Sequence, residues 1–229
     1  PEHLRVVLYP GAITVHRGLE TMIDSAPYLA EAVYVVMGYA RNKRYLERLK
    51  CRAQALNVLG SKVYFRNAVP IEDVVRYTAS ADLGIVPTQN VCMSYLFESS
   101  NKIFHCLMAG VPVAMSDHPE KRLIIEQFGV GVLFDETQPQ AVAKAVNDIL
   151  RDRAEYGRMH EACLRAAREL NWEREELRLH ALYSRLLDRT TMDAASSKHA
   201  VDIETKVVPA LSVVLASGEQ GSPRIAGQP

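Results

Sequence analysis

Excess charge is the first thing this sequence lacks. Its 229 residues carry 27 Lys and Arg against 27 Asp and Glu. A chain so balanced has no basic surface for holding nucleic acid non-specifically, so no nucleic-acid partner is expected. Long apolar runs are missing too. None approaches the about 20 residues that a membrane-spanning helix needs, and no signal-peptide pattern opens the chain. Cysteine is sparse: Cys51, Cys92, Cys106 and Cys163 lie far apart, with no Cys-x-x-Cys pair. They read as reduced thiols of a cytoplasmic protein, without a metal site. The chain starts at Pro1, directly before a strand and without a Met, as expected for a piece of a longer protein.

Several catalytic signatures are also missing. No Gly-x-Gly-x-x-Gly follows the first apolar run, so a nicotinamide or flavin dinucleotide is not expected. There is no Walker phosphate loop and no Gly-x-Ser-x-Gly elbow. No Asp-x-Asp pair is present to carry a divalent metal under a diphosphate. The expected cofactor set is therefore empty. No internal repeat of useful period is found.

What is present is a regular alternation. Hydrophobic residues make up 48% of the chain, enough to bury a core. Strands are predicted at Leu4–Tyr9, Ala32–Met37, Lys62–Phe65, Leu83–Val86, Val111–Met115 and Val130–Phe134. Between them lie helices starting near Arg17 and covering Arg41–Leu56, Ile71–Ala79, Ser99–Met108 and Pro119–Phe128. Ala141–Leu150 follows, with Thr137 and Gln140 at capping-box spacing. Arg151–Leu170 and Trp172–Leu187 complete the set. Helix and strand alternating through short links predict an α/β, Rossmann-like, doubly wound parallel sheet over residues 1–189. Residues 190–229, rich in Ser, Ala, Gly and Pro, read as a linker or disordered tail. Within them, Val207–Ala216 is apolar enough for a strand.

In such a sheet a ligand lies beyond the C-terminal strand ends. The loops there are residues 10–17, 38–43, 67–70, 87–101 and 116–120. The first holds Gly11, where backbone can approach a phosphate closely, and Arg17, which can grip a phosphate through two hydrogen bonds. An Arg at a helix start is electrostatically unfavourable alone, which favours an anionic partner there. The fourth loop is the longest and enters Ser99–Val113. There Ser99, Ser100 and Asn101 can cap a helix whose amides, with Lys102, suit a phosphate. Ile103, Phe104, Leu107 and Met108 give that helix an apolar face, Gly110 suits a left-handed stop, and Pro112 bars continuation. His16, His105 and His118 sit on different elements, and each reads as a polar surface or satisfied buried histidine.

Four stretches together resemble a known family. Tyr9–Glu20 (YPGAITVHRGLE) is similar to its first strand, glycine loop and Lys/Arg-Gly helix start. Val63–Pro70 (VYFRNAVP) is similar to its strand entering the base-binding loop. Asn101–Val113 (NKIFHCLMAGVPV) is close to its Asn-Lys-x-Phe-Glu-x-x-x-Ala-Gly-x-Pro-Val signature. Asn171–Glu173 and the helix to Leu187 are similar to its closing segment. From Leu4 to Leu187 the chain resembles the C-terminal, donor-binding half of GT-B glycosyltransferases, specifically retaining family 4. The resemblance implies transfer of a sugar from a UDP- or GDP-sugar, without a metal and with retained configuration. It places Gly11 under the diphosphate and Arg17 and Lys102 as its stabilising cations. Val69 would lie near the base, with Gly38, Glu98, Asn101 and His105 completing the donor site. Many relatives carry two glutamates separated by seven residues, the second contacting the ribose hydroxyls; here those positions are Phe97, with Glu98 one residue later, and His105. Ala12 stands where relatives often have an arginine. The acceptor half is expected on a missing N-terminal domain, which could also supply peripheral membrane contact. A non-catalytic binding or scaffold domain, and a nucleotide-sugar epimerase of the same architecture, remain alternatives.

Overall fold

The computed structural model describes residues 4–193. The predicted strand at 207–216 lies outside the described residues. Among the described residues, those up to Leu179 form one compact unit and those from His180 onward belong to a second.

Six parallel strands form one sheet. They are β1 (Arg5–Pro10), β2 (Ala32–Met37), β3 (Val63–Arg66), β4 (Leu83–Val86), β5 (Val113–Ser116) and β6 (Gly131–Phe134). Their order is β3-β2-β1-β4-β5-β6. The sheet grows one way from β1 and then back the other way from β4. Register pairs Tyr9 with Val36 and Leu8 with Gly84.

The helices lie on both faces, as the alternation predicts. On one face pack α1 (Leu19–Ser25), α2 (Lys43–Ala55) and α7 (Pro139–Arg151). Their buried Leu19, Met22, Leu49, Val142 and Val146 meet Val7, Tyr9, Val36, Leu83 and Ile85. On the other face pack α5 (Asn101–Met108) and α8 (Arg153–Ala167). There Ile103, Cys106, Leu107 and Cys163 meet Val86, Val113 and Met115. Alternate residues of β4 and β5 serve opposite layers, which is the pleat expressed as packing. Gly84 lets α5 come close: a Cβ there would lie 2.2 Å from Cys106 Sγ. Between the core elements run α3 (Val74–Thr78), α4 (Met93–Leu96) and α6 (Pro119–Phe128), and α9 (Trp172–Asp193) follows α8.

Several local expectations change. The first helix starts at Leu19 rather than Arg17, because Gly18 is left-handed (φ 72°). The second starts after Asn42, whose side chain accepts from Tyr45 N at 3.2 Å. The third opens with one 3-10 turn, Ile71–Asp73. The predicted capping box at Thr137 does not form: Asp135 accepts from the Thr137 amide instead, and Gln138 is the N-cap. On α5, Met108 is exposed and Cys106 is buried in its place. Helix α9 runs past Leu187 to Asp193.

Candidate anion-binding site at the sheet reversal

The strand order reverses between β1 and β4, and the loops leaving these strands diverge into a crevice. The loop after β1 is clipped along the end of β2. Gly11 N donates to the Met37 carbonyl (2.9 Å) and Ile13 N to the Tyr39 carbonyl (2.8 Å). A Cβ on Gly38 would lie 1.8 Å from the Gly11 carbonyl oxygen, so this seat requires glycine. The Tyr9 hydroxyl donates to the Ala12 carbonyl at 2.9 Å and fixes the turn.

The room left by Gly11 is filled by Lys102. A Cβ on Gly11 would lie 2.5 Å from Lys102 Cε. The lysine chain thereby passes over β1 and sets its ammonium 5.1 Å from the centre of the Tyr9 ring. Lys102 Nζ donates to Ser100 Oγ at 3.3 Å. Among the described residues no carboxylate forms an ion pair with it. Burial, reinforced by the charge of Arg17, pushes this amine down from 10.5 to about 8. Ser100 is the N-cap of α5, but its side chain makes no hydrogen bond to a helix amide. The hydroxyl expected to cap the helix serves Lys102 instead.

Arg17 enters from the opposite wall. His16 and Gly18 on either side of it are both left-handed, at φ 65° and 72°. A Cβ on Gly18 would lie 1.7 Å from the Pro87 carbonyl oxygen, so the start of α1 is pressed against the end of β4. The Arg17 guanidinium donates to Glu98 Oε2 at 2.7 Å and stacks 4.6 Å from the Tyr95 ring centre. Glu98 Oε1 accepts from Thr88 Oγ1 at 2.6 Å. Burial alone would raise the Glu98 carboxyl, but the Thr88 and Arg17 bonds outweigh it and hold the group below its ordinary value. Arg17 is likewise raised, because Glu98 outweighs its burial.

Of the residues singled out in the sequence, Gly11, Arg17, Gly38, Glu98 and Lys102 converge here. Val69 is half-buried and packs on Leu8, Met37 and Ala81. Asn101 and His105 open instead on a groove of about 400 Å³ beside Phe104, Met108 and Trp172. The His105 ring is pushed down by burial and then by Lys102, and its buried Nδ1 has no hydrogen-bond partner. Sequence reasoning missed Thr88, Tyr95 and Lys121. The first two lie inside the longest strand-end loop, which was visible as a ligand-wrapping segment. Lys121 stands beside Arg122 and reads as part of a solvated helix face. Among the described residues, no group of three His, Cys, Asp or Glu could hold a metal ion. No described helix is long and apolar enough to cross a membrane.

A doubly wound sheet in this order, with two cations and a helix start without a side-chain cap at its reversal, defines a Rossmann-like domain with a cationic crevice. The chain belongs to the glycosyl transferases group 1 family, whose model matches residues 1–169. Its fold is similar to part of sucrose-phosphate synthase from Thermosynechococcus elongatus, at 21% identity and TM-score 0.71, covering 82% of this chain and 47% of that one. Anabaena HepE, solved with UDP and glucose, is similar at 17% identity and TM-score 0.63, covering 73% and 44%. The C-terminal domain of a group 1 glycosyl transferase (LpcC) from Francisella tularensis is similar at 12% identity and TM-score 0.55, covering 70% and 82%. The chain thus spans about half the length of the first two proteins and most of the isolated C-terminal domain. None of the curated proteins is similar to it in sequence.

Proposed function

We propose that this chain is the donor-binding half of a retaining glycosyltransferase that takes a UDP- or GDP-sugar without a metal ion. The carrying observation is Lys102, a largely desolvated ammonium without a carboxylate partner at the reversal of a Rossmann-like sheet. Such a charge is costly unless an anion completes it. A diphosphate in this crevice would meet Lys102, the first amides of α5 and, from the other wall, Arg17. As the bond from sugar to phosphate breaks, negative charge collects on the departing nucleoside diphosphate. Fixed cations and a helix N-terminus stabilise that charge without rearranging. The acceptor binds to a further domain. Family membership and the likeness to HepE, solved with UDP and glucose, support the reading. The described cysteines are all free, which suits a reducing compartment such as the cytoplasm.

One observation favours a second reading, a nucleotide-binding domain that has lost transfer. His105 stands where many relatives carry a glutamate, and a neutral imidazole holds a donor hydroxyl less strongly than a carboxylate. Full-length protein given UDP- and GDP-sugars separates the two. A glycosylated product of retained configuration, formed in the presence of a chelator, supports the transferase. Nucleotide binding without product from any donor and acceptor panel supports the binding domain.

A further inference from the structure

Behind the crevice lies a second polar cluster that donor binding does not use directly. Lys121, in the first turn of α6, is fully buried, and Ser116, His118 and Glu136 around it are nearly so. Lys121 Nζ donates to Ser116 Oγ at 2.8 Å and lies 3.3 Å from His118 Nδ1. His118 Nε2 lies 3.4 Å from Glu136 Oε1.

Two contacts carry this cluster to the loop between β4 and α5. Glu136 Oε1 accepts from the Asn90 amide at 3.3 Å, and His118 Nδ1 lies 3.2 Å from the Tyr95 carbonyl. The segment between those anchors begins with exposed Val91, Cys92 and Met93, so side-chain burial does little to fix it. Its far end carries Tyr95 and Glu98, the two groups that grip Arg17. Lys121 also sits where its charge favours Glu98 as a carboxylate.

Packing alone gives no reason for a lysine here. The neighbouring Ile124, Ile125 and Phe128 of α6 contribute apolar surface to the core. Burying an ammonium on this helix costs stability that a methionine would not. We propose that Lys121, with His118 and Glu136, is a positioning cluster: it anchors the 87–98 loop so that Tyr95 and Glu98 hold Arg17 ready for the donor diphosphate. This rests on the donor reading of the crevice given above.

The test uses the chain as it is, with Lys121→Met, Glu136→Ala, Arg17→Ala and the Arg17→Ala/Lys121→Met double variant. Three quantities are read: thermal midpoint, amide hydrogen exchange without nucleotide, and UDP and GDP affinity. The Lys121→Met midpoint is expected to equal or exceed that of the native chain. Exchange at Asn90–Phe97 should quicken by about tenfold in both Lys121→Met and Glu136→Ala, while β5 amides stay protected. Nucleotide affinity should fall by about 5- to 20-fold in Lys121→Met, yet by under about twofold when Arg17 is already alanine. A purely structural lysine would give a lower midpoint with unchanged affinity. That result, unchanged loop exchange, or an additive double variant would each overturn the proposal. If the native chain binds neither nucleotide, the donor reading fails by itself, and loop exchange alone then decides whether the cluster anchors the loop.

Discussion

The two ends of the sheet both gather cations, and they treat them differently. At the N-terminal end a cleft of about 480 Å³ is lined by Arg5, Glu31, Asn147 and Arg151, among others. Arg5 pairs with Asp82 at 2.7 Å and Arg151 with Asp148 at 2.7 Å. Arg153, on the same cleft, is exposed to water. At the C-terminal end Arg17 is paired, but Lys102 is drawn out of solvent over Tyr9 with no acidic partner. Number of charges does not distinguish the ends. What distinguishes them, among the described residues, is a largely buried ammonium with no carboxylate within ion-pair distance. Parallel-sheet architecture gives the reason that end is chosen: loops diverge and helix N-termini gather at the C-terminal strand ends.

The largest effect should come from Arg17→Ala. It removes one cation and leaves Glu98 facing an incoming diphosphate, so nucleotide binding should weaken by about 3 kcal/mol, read by calorimetric titration. Lys102→Met should weaken binding by about 1 to 3 kcal/mol. Its thermal midpoint should hold or rise, because a desolvated charge is exchanged for an apolar chain.

A pH series sharpens the contrast further. Lys102 keeps its proton below about 8 and loses it above. An anion favours the protonated form, so binding takes up a proton near that value. Affinity should stay flat up to neutrality and then fall by up to about tenfold per pH unit above 8. The slope should be shallower in Lys102→Met. Stability runs the other way. Between about 8 and 10.5 the unfolded chain holds more protons at this lysine than the native one, so the native state gains stability as pH rises through that window.

Glu98→Gln keeps an acceptor oxygen for Arg17 and turns its amide N–H toward the Thr88 hydroxyl oxygen, and it removes a negative charge beside the phosphates. UDP and GDP should bind about two- to fivefold tighter. The smallest effect is expected at the other end of the sheet. Arg151→Ala should leave nucleotide affinity within about twofold, since its exposed ion pair contributes little and lies away from the crevice. A larger loss there would break the contrast between the two ends.

Much of the fold was legible because it depends on patterns along the chain. The apolar runs gave all six strands. Pro119 and Gly129 bracket α6, with Gly129 left-handed as its stop, and Gly110 stops α5 in the same way. The misread details are choices between competing partners. Asp135 outcompeted Gln140 for the Thr137 region, and Lys102 claimed the Ser100 hydroxyl. Met108 and Cys106 both suit a buried helical position by spacing, but Gly84 brings β4 close beneath Cys106. In the crevice, Arg17 and Lys102 were visible from their loops. The Arg17–Glu98 pair joins residues 81 apart, and nothing local announces it. Lys121 was hidden for the opposite reason: its neighbours look like a solvated face, and only the tertiary fold covers it.

The most direct measurement is calorimetric titration of the folded chain with UDP and with GDP, repeated on Lys102→Met. Saturable one-site binding of one of the two, weakened by about 5- to 100-fold in the variant, is the predicted result. No saturable binding by a folded sample, or equal affinity in the native and variant chains, would contradict it.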